Sequence, residues 1–250
     1  MSDPLAYLRG LTAARIGLGR TGASLPTRRV LEFQMAHAQA RDAIHAPFDV
    51  GRIEQELADL RPIRAESRAV DRRVYLERPD DGRRLSAASR EKLVGRFDCA
   101  LVLGDGLSAR AAQENGPALV RALRAATPEW RWSPPVIATM ARVAHDDDIA
   151  SAFGSDLVVM LIGERPGLSS PDSLGAYVTF APRPGVTSDA QRNCVSNIRP
   201  QGLPIGEAVR KIVAIAALAR HTRQTGVALK EDEALTLFSS DAPAIEGSTS

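Results

Sequence analysis

A chain of 250 residues, 44% of them hydrophobic, is long enough for one large domain or two modest ones with a real core. Its formal charge of +2 and isoelectric point near 8.7 create no strong field, so neither a nucleic acid nor a membrane is expected as a partner. Two cysteines, Cys99 and Cys194, cannot build a disulfide framework or a four-ligand zinc site. The longest purely apolar run, IVAIAALA at 212–219, falls far short of the ~20 residues of a membrane span, and no basic start leads into a long apolar segment. A soluble, cytoplasmic protein is expected.

In chain order, residues 1–95 read as a helical N-terminal region. The stretch SLPTRRVLEFQMAHAQARDAIHAPF opens with Ser24 as an N-cap, carries Val30, Phe33, Ala38 and Ile44 at helical spacing, and stops before Pro47. A second helix is expected from Asp49 to about Arg61. A third follows through the arginine-rich run at 61–84, whose interleaved acids suit a solvated or interfacial helical face better than a phosphate-reading surface. Beyond Phe97 the character changes. Strand-length apolar runs, CALVLGDG (99–106), PPVIATMARV (134–143) and LVVMLIG (157–163), alternate with helical stretches at 107–126 and 146–155. That alternation predicts an α/β fold with a parallel sheet and helices on both faces. A further strand is expected at 176–182 and a closing helix at 204–226, so the α/β domain spans 96–226 and a loose tail takes 227–250.

Glu164 stands where the buried strand LVVMLIG should end, at the head of GERPGLSSPDSLGAY (163–177). That segment is too long and too rich in hydroxyls for a two-residue hairpin, and it reads as the rim of a crevice beyond the carboxyl ends of strands. The turn GDGLSA (104–109) matches a loose dinucleotide pattern between a strand and a helix, which keeps a nicotinamide-dependent oxidoreductase as an alternative. Its partner acid would have to be Glu129, between Pro128 and Trp130 and not at a strand end. No P-loop lysine or Gly-x-Ser-x-Gly elbow occurs, and His37, His45, His145 and His221 lack metal-ligand spacing. Asp146, Asp147 and Asp148 suit the cap and first turn of a helix better than a metal site. Without a catalytic constellation of its own, the chain reads as a binding subunit whose chemistry comes from a cofactor or partner.

Three stretches carry a resemblance: RTGASLPTRRVLEFQMAHAQARDAIH (20–45), SRAVDRRVYLERPDDGRRL (67–85) and LIGERPGLSSPDSLGAYVTFAPRPGVTSDAQRNCVSNIRPQGL (161–203). Together they resemble the small subunit of ethanolamine ammonia-lyase. The resemblance implies a Rossmann-like cobalamin-binding domain that pairs with a large subunit in a hetero-oligomer, with no catalytic residues and no metal ligands of its own. It also implies adenosylcobalamin as cofactor, radical conversion of ethanolamine to acetaldehyde and ammonia, and a place in the cytoplasm or inside a bacterial microcompartment. Three cofactor contacts follow from it. Val143 ends the strand VIATMARV, where backbone can approach a bulky ligand or the side chain can join the core. Glu164 accepts hydrogen bonds from amides and hydroxyls or is a turn acid in water. Cys194 sets a small soft side chain against the cofactor or is a buried hydrophobe. No histidine carries the Asp-x-His-x-x-Gly motif, so the cofactor is expected to keep its own lower ligand.

Overall fold

The computed structural model describes residues 5–12 and 14–229. One six-stranded sheet organises them, formed by β1 (Ile63–Glu66), β2 (Cys99–Gly104), β3 (Val136–Thr139), β4 (Leu157–Gly163), β5 (Leu174–Phe180) and β6 (Asn193–Ile198) in the order β1-β3-β2-β4-β5-β6. The pairs β1/β3, β3/β2 and β2/β4 are parallel, whereas β4/β5 and β5/β6 are antiparallel. The architecture is therefore mixed α/β with a mostly parallel sheet, not the all-parallel one expected.

The departure begins at the segment after β4. A parallel neighbour needs a crossover of a dozen or more residues, usually a helix. Residues 164–173 contain no helix and return the chain directly alongside β4, pairing Gly163 with Leu174. The segment is thus a wide-looped hairpin, a connection that the sequence argument had set aside. Strand β6 was missed because NCVSNI is half polar: it lies at the sheet edge with only Val195 and Ile198 buried.

The N-terminal region is not purely helical, since β1 lies inside the arginine-rich run and forms the other sheet edge. The helices there are α1 (Ala6–Leu11), α2 (Thr27–His45), α3 (Val50–Glu56), α4 (Arg72–Glu77), α5 (Pro79–Gly82) and α6 (Ala87–Arg90). Helix α2 ends before Pro47 as expected, but its N-cap is Pro26, while Ser24 pairs with Thr21. It buries Ala36, Ala40 and Ala43 and leaves Val30, Leu31, Phe33 and Met35 exposed.

Three helices complete the fold: α7 (Ala109–Ala126), α8 (His145–Phe153) and α9 (Ile205–Thr222). Side chains alternate across a strand, and along β2 and β4 they divide into two separate clusters. Leu101, Leu103, Leu157, Val159 and Leu161 pack with Leu119 and Leu123 of α7 and Ile212 and Ile215 of α9. Ala100, Val102, Val158, Met160 and Ile162 pack with Ile149, Ala150 and Phe153 of α8. Helix α7 lies close because Gly116 has no side chain; a Cβ there would sit 2.5 Å from Leu103 Cδ1. Among the described residues no helix is long and apolar enough to cross a membrane. Residues 230–250 of the expected tail lie outside the described residues.

Candidate functional site

The turn after β2 packs backbone against backbone. Gly106 has φ +56°, and a Cβ there would lie 2.1 Å from Gly163 O; one on Gly163 would lie 2.0 Å from Ser108 O. Three donors of the turn are consumed within the protein: Asp105 N–H reaches Ala138 O, Gly106 N–H reaches Asp105 Oδ1, and Leu107 N–H reaches Gly163 O. Ser108 Oγ accepts from Ala111 N–H at the start of α7 and donates to Pro171 O. A pyrophosphate cradle needs such donors turned outward, and Glu129 is exposed in the turn after α7. The dinucleotide reading of GDGLSA therefore has no support.

Asp105 instead stitches the sheet's carboxyl edge together. Its Oδ1 accepts from Gly106 N–H and Ala141 N–H, both at 2.9 Å, and its Oδ2 accepts from Met140 N–H at 3.1 Å, with Arg72 Nη1 at 3.4 Å. Burial pushes its carboxyl up to about 6. Those bonds hold Met140 at φ +54°, a left-handed conformation that non-glycine residues rarely adopt. Strand β3 consequently stops at Thr139, and Val143 does not end it but stands four residues on, in the loop before α8. The loop is braced by Tyr75, whose hydroxyl donates to Ala141 O and whose ring lies between the guanidinium groups of Arg72 and Arg142, at 4.6 and 4.4 Å. Burial, then Asp105, pushes the Tyr75 phenol up to about 12.

Val143 and Glu164 line one cavity of about 220 Å³ with Tyr75, Gly106, Arg142, Arg165 and Tyr177. Glu164 turns its Oε2 onto the hairpin loop and β6, accepting from Ser173 Oγ and from Asn197 N–H. Its side chain lies across Gly175, where a Cβ would be 2.9 Å from Oε1. Glu164 and Arg165 also form the wall of a second cleft of about 650 Å³, lined by Thr12, Ser169, Ser170, Ser173, Asn197 and Arg199. Cys194 is the cross-strand partner of Tyr177 and is exposed, not a buried hydrophobe; Cys99 is the buried cysteine. Although the residue is exposed, desolvation around the sulfur pushes its thiol up to about 11, against an opposing pull from Tyr177. A larger cavity of about 670 Å³ lies at the amino end of β4, around Asp156, Arg183 and Arg223, and none of the three expected contacts lines it.

The acidic triple lies in the first turn of α8, as expected, but does not cap it, since the N-cap is Ala144 and no side chain bonds there; each of the three acids is instead held by an arginine. Arg192 Nη1 and Nη2 grip Asp147 at 2.9 and 2.8 Å, and Nη1 also reaches Asp146 at 3.1 Å and Thr179 Oγ1 at 3.2 Å. Asp148 takes Arg84 and the Leu85 N–H. His145 begins the helix fully buried, and desolvation pushes its imidazole down to about 4.

Over residues 2–230 the sequence matches the family described as ethanolamine ammonia-lyase light chain (EutC). The chain belongs to that family. Proteins named ethanolamine ammonia-lyase small subunit from Pseudomonas aeruginosa (strain LESB58) and Bradyrhizobium diazoefficiens are similar to it along nearly their whole length. The first is 47% identical over 252 residues, covering 96% of this chain and 92% of its own; the second is 51% identical over 249 residues, covering 94% and 95%. A third, from Rhodopseudomonas palustris (strain BisA53), is 50% identical over 242 residues.

In this light chain the three expected contacts meet around one residue that sequence reasoning passed over. Tyr177 lines the cavity with Val143 and Glu164 and pairs with Cys194. Burial, then Cys194, pushes its phenol upward. Asp105, Arg142 and Tyr75 were also missed. Only Asp105, directly after β2, stood where a strand's carboxyl end could have flagged it; the partners of Tyr75, Arg142 and Tyr177 lie far away in sequence. The donor and acceptor set suits the edge of a large ligand fringed with amides and hydroxyls: a carboxylate with Oε1 unpartnered among the described residues, phenols and two guanidinium groups, with the Cys194 thiol next to Tyr177 outside the lining. The cavity is smaller than the ~300–1,000 Å³ of sites that enclose a small molecule, so it can receive only such an edge.

Proposed function

We propose that this light chain is the cofactor-binding subunit of an adenosylcobalamin-dependent ethanolamine ammonia-lyase. It works with a large subunit in a hetero-oligomer, in the cytoplasm or inside a bacterial microcompartment. Residues 96–226, with β1 and Tyr75 from the segment before them, form its Rossmann-like cobalamin-binding part. The observation that carries the reading is the meeting of Val143, Glu164 and Tyr177 in one cavity at the carboxyl end of β4, with Cys194 beside it as the cross-strand partner of Tyr177.

Bound adenosylcobalamin supplies the radical chemistry that turns ethanolamine into acetaldehyde and ammonia. The chain's own residues bind and orient. Val143 offers a stiff apolar wall next to a loop fixed by Asp105. Glu164, pinned through Oε2, presents Oε1 to an amide or hydroxyl donor. Cys194 offers a neutral, polarisable sulfur, kept protonated by its raised pKa. A cavity too small to enclose the cofactor supports a ligand shared with a second protein, and the exposed apolar side chains of α2 support a partner of substantial contact area.

The test is a titration of cobalamin, followed by visible absorbance, into the light chain, the large subunit and their mixture. The mixture binds most tightly, and ammonia release requires both chains and the cofactor. Turnover of ethanolamine by the light chain alone would overturn this division of roles. Glu164→Ala lowers cofactor affinity by about one to two orders of magnitude, since a hydrogen bond to a charged group contributes roughly 1.5–3 kcal/mol. It leaves turnover at saturation little changed, because the contact is made alike in ground and transition states.

A further inference from the structure

Two clefts meet at the carboxyl end of β4, one of about 220 Å³ and one of about 650 Å³, and Glu164 and Arg165 are the residues common to both. Three arginines face them, and two are occupied. Arg142 donates from Nη2 to Tyr75 O at 3.0 Å and stacks on that ring. Arg199 donates from Nε to Asn197 Oδ1 at 2.8 Å and stands 3.6 Å from an Asp172 oxygen. Glu164 is directed into the loop by Ser173 and Asn197. Arg165 is exposed and has no ion pair or side-chain hydrogen bond among the described residues. Its backbone is restrained all the same: it follows a carboxylate anchored on both the loop and β6, and it precedes Pro166, which biases it to an extended conformation. A guanidinium on a stiff backbone, uncommitted, at the ridge between two clefts is arranged to receive an anion that lies across that ridge.

We propose that Arg165 binds the phosphodiester of the cofactor's nucleotide tail. The inference rests on the reading of this chain as a cobalamin-binding subunit. Amides and hydroxyls fringe the rest of that cofactor, whereas its phosphodiester is a fixed negative charge whose two free oxygens match the planar donor fork of arginine. The corrin edge then faces the smaller cleft with Val143 and Tyr177, and the nucleotide faces the hydroxyl-lined larger one with Ser169 and Ser170.

The experiment compares two corrinoids on the assembled light and large subunits: cyanocobalamin, which carries the nucleotide and phosphate, and dicyanocobinamide, which lacks both. Binding is read by absorbance changes, independently of turnover. Arg165→Ala and Arg165→Gln lower cyanocobalamin affinity ten- to a hundredfold and leave cobinamide affinity within about twofold of the parent complex; Arg165→Lys, which keeps the charge without the fork, falls between. Equal losses for both corrinoids, or no loss for either, would overturn the assignment to phosphate while leaving cobalamin binding intact. A parent complex that binds neither corrinoid would refute the reading beneath it.

Discussion

Arg192→Leu removes the cation that holds the first turn of α8 to the antiparallel half of the sheet. The arginine side chain is 1% exposed, and Asp146 and Asp147 beside it are equally hidden. Deleting one partner of such a group strands the other, at a cost of roughly 3–5 kcal/mol, or about 6–20 °C in melting temperature for a chain of this size. Two carboxylates are stranded here, so the upper half of that range is expected. Burial already pushes both acids above their ordinary values, against the pull of Arg192, and its loss raises them further. A carboxyl whose pKa is raised by folding contributes stability that is fully present below the unfolded value of ~3.9 and is lost as pH rises through the folded one. The deficit of Arg192→Leu therefore shrinks on acidification. Urea unfolding followed by circular dichroism at pH 7 and pH 5 measures both effects. A triple variant with Asp146→Asn and Asp147→Asn added recovers part of the loss at pH 7. A deficit below about 1 kcal/mol at pH 7, or one that does not change with pH, would refute the reasoning.

His145→Leu loses the acid limb of the stability profile. Since folding lowers the imidazole pKa from 6.5 to about 4, the parent sheds about 3 kcal/mol as pH falls through that interval, and the variant does not; parallel profiles would refute this. Gly163→Ala places a methyl group 2.0 Å from Ser108 O and 2.6 Å from Asp105 O, so a loss at or above about 3 kcal/mol is expected in thermal unfolding, and a loss under 1 kcal/mol would contradict the backbone packing. Cys194, with its thiol raised to about 11, is alkylated by iodoacetamide at pH 8 roughly tenfold more slowly than a free thiol, the scarcer thiolate being partly offset by its greater nucleophilicity. Mass spectrometry of the labelled chain tests this, and a rate equal to that of a free thiol would contradict it.

Strands β2 and β4 were legible almost to the residue because a strand buried on both faces must be apolar throughout, and CALVLG and LVVMLIG satisfy that without interruption. Helix α8 was legible because acids open it and Gly154, at φ +57°, closes it. Edge strands gave no such signal: IRAE and NCVSNI are half polar, and the sheet neighbours that make them strands are distant in sequence. The end of β3 was hidden for a different reason. Met140 carries no mark of a left-handed turn, and the carboxylate that imposes it, Asp105, looked like a spacer between two glycines. As for the site, strand pattern alone placed Glu164 at a carboxyl end, whereas Val143 and Cys194 came only with the family resemblance. Tyr177, the residue around which all three gather, sat unnoticed within an ordinary strand.

Helix α2 is attached in an uneven way. Near its carboxyl end Arg72 Nε donates to Ile44 O at 2.9 Å, but along its 19 residues only the methyl groups of Ala36, Ala40 and Ala43 are buried. At ~0.8 kcal/mol per buried carbon, three methyls resist tilting with only about 2 kcal/mol. The helix is in mechanical terms a lever pivoted at one end and weakly held along its length, with Leu31, Phe33 and Met35 on its exposed side.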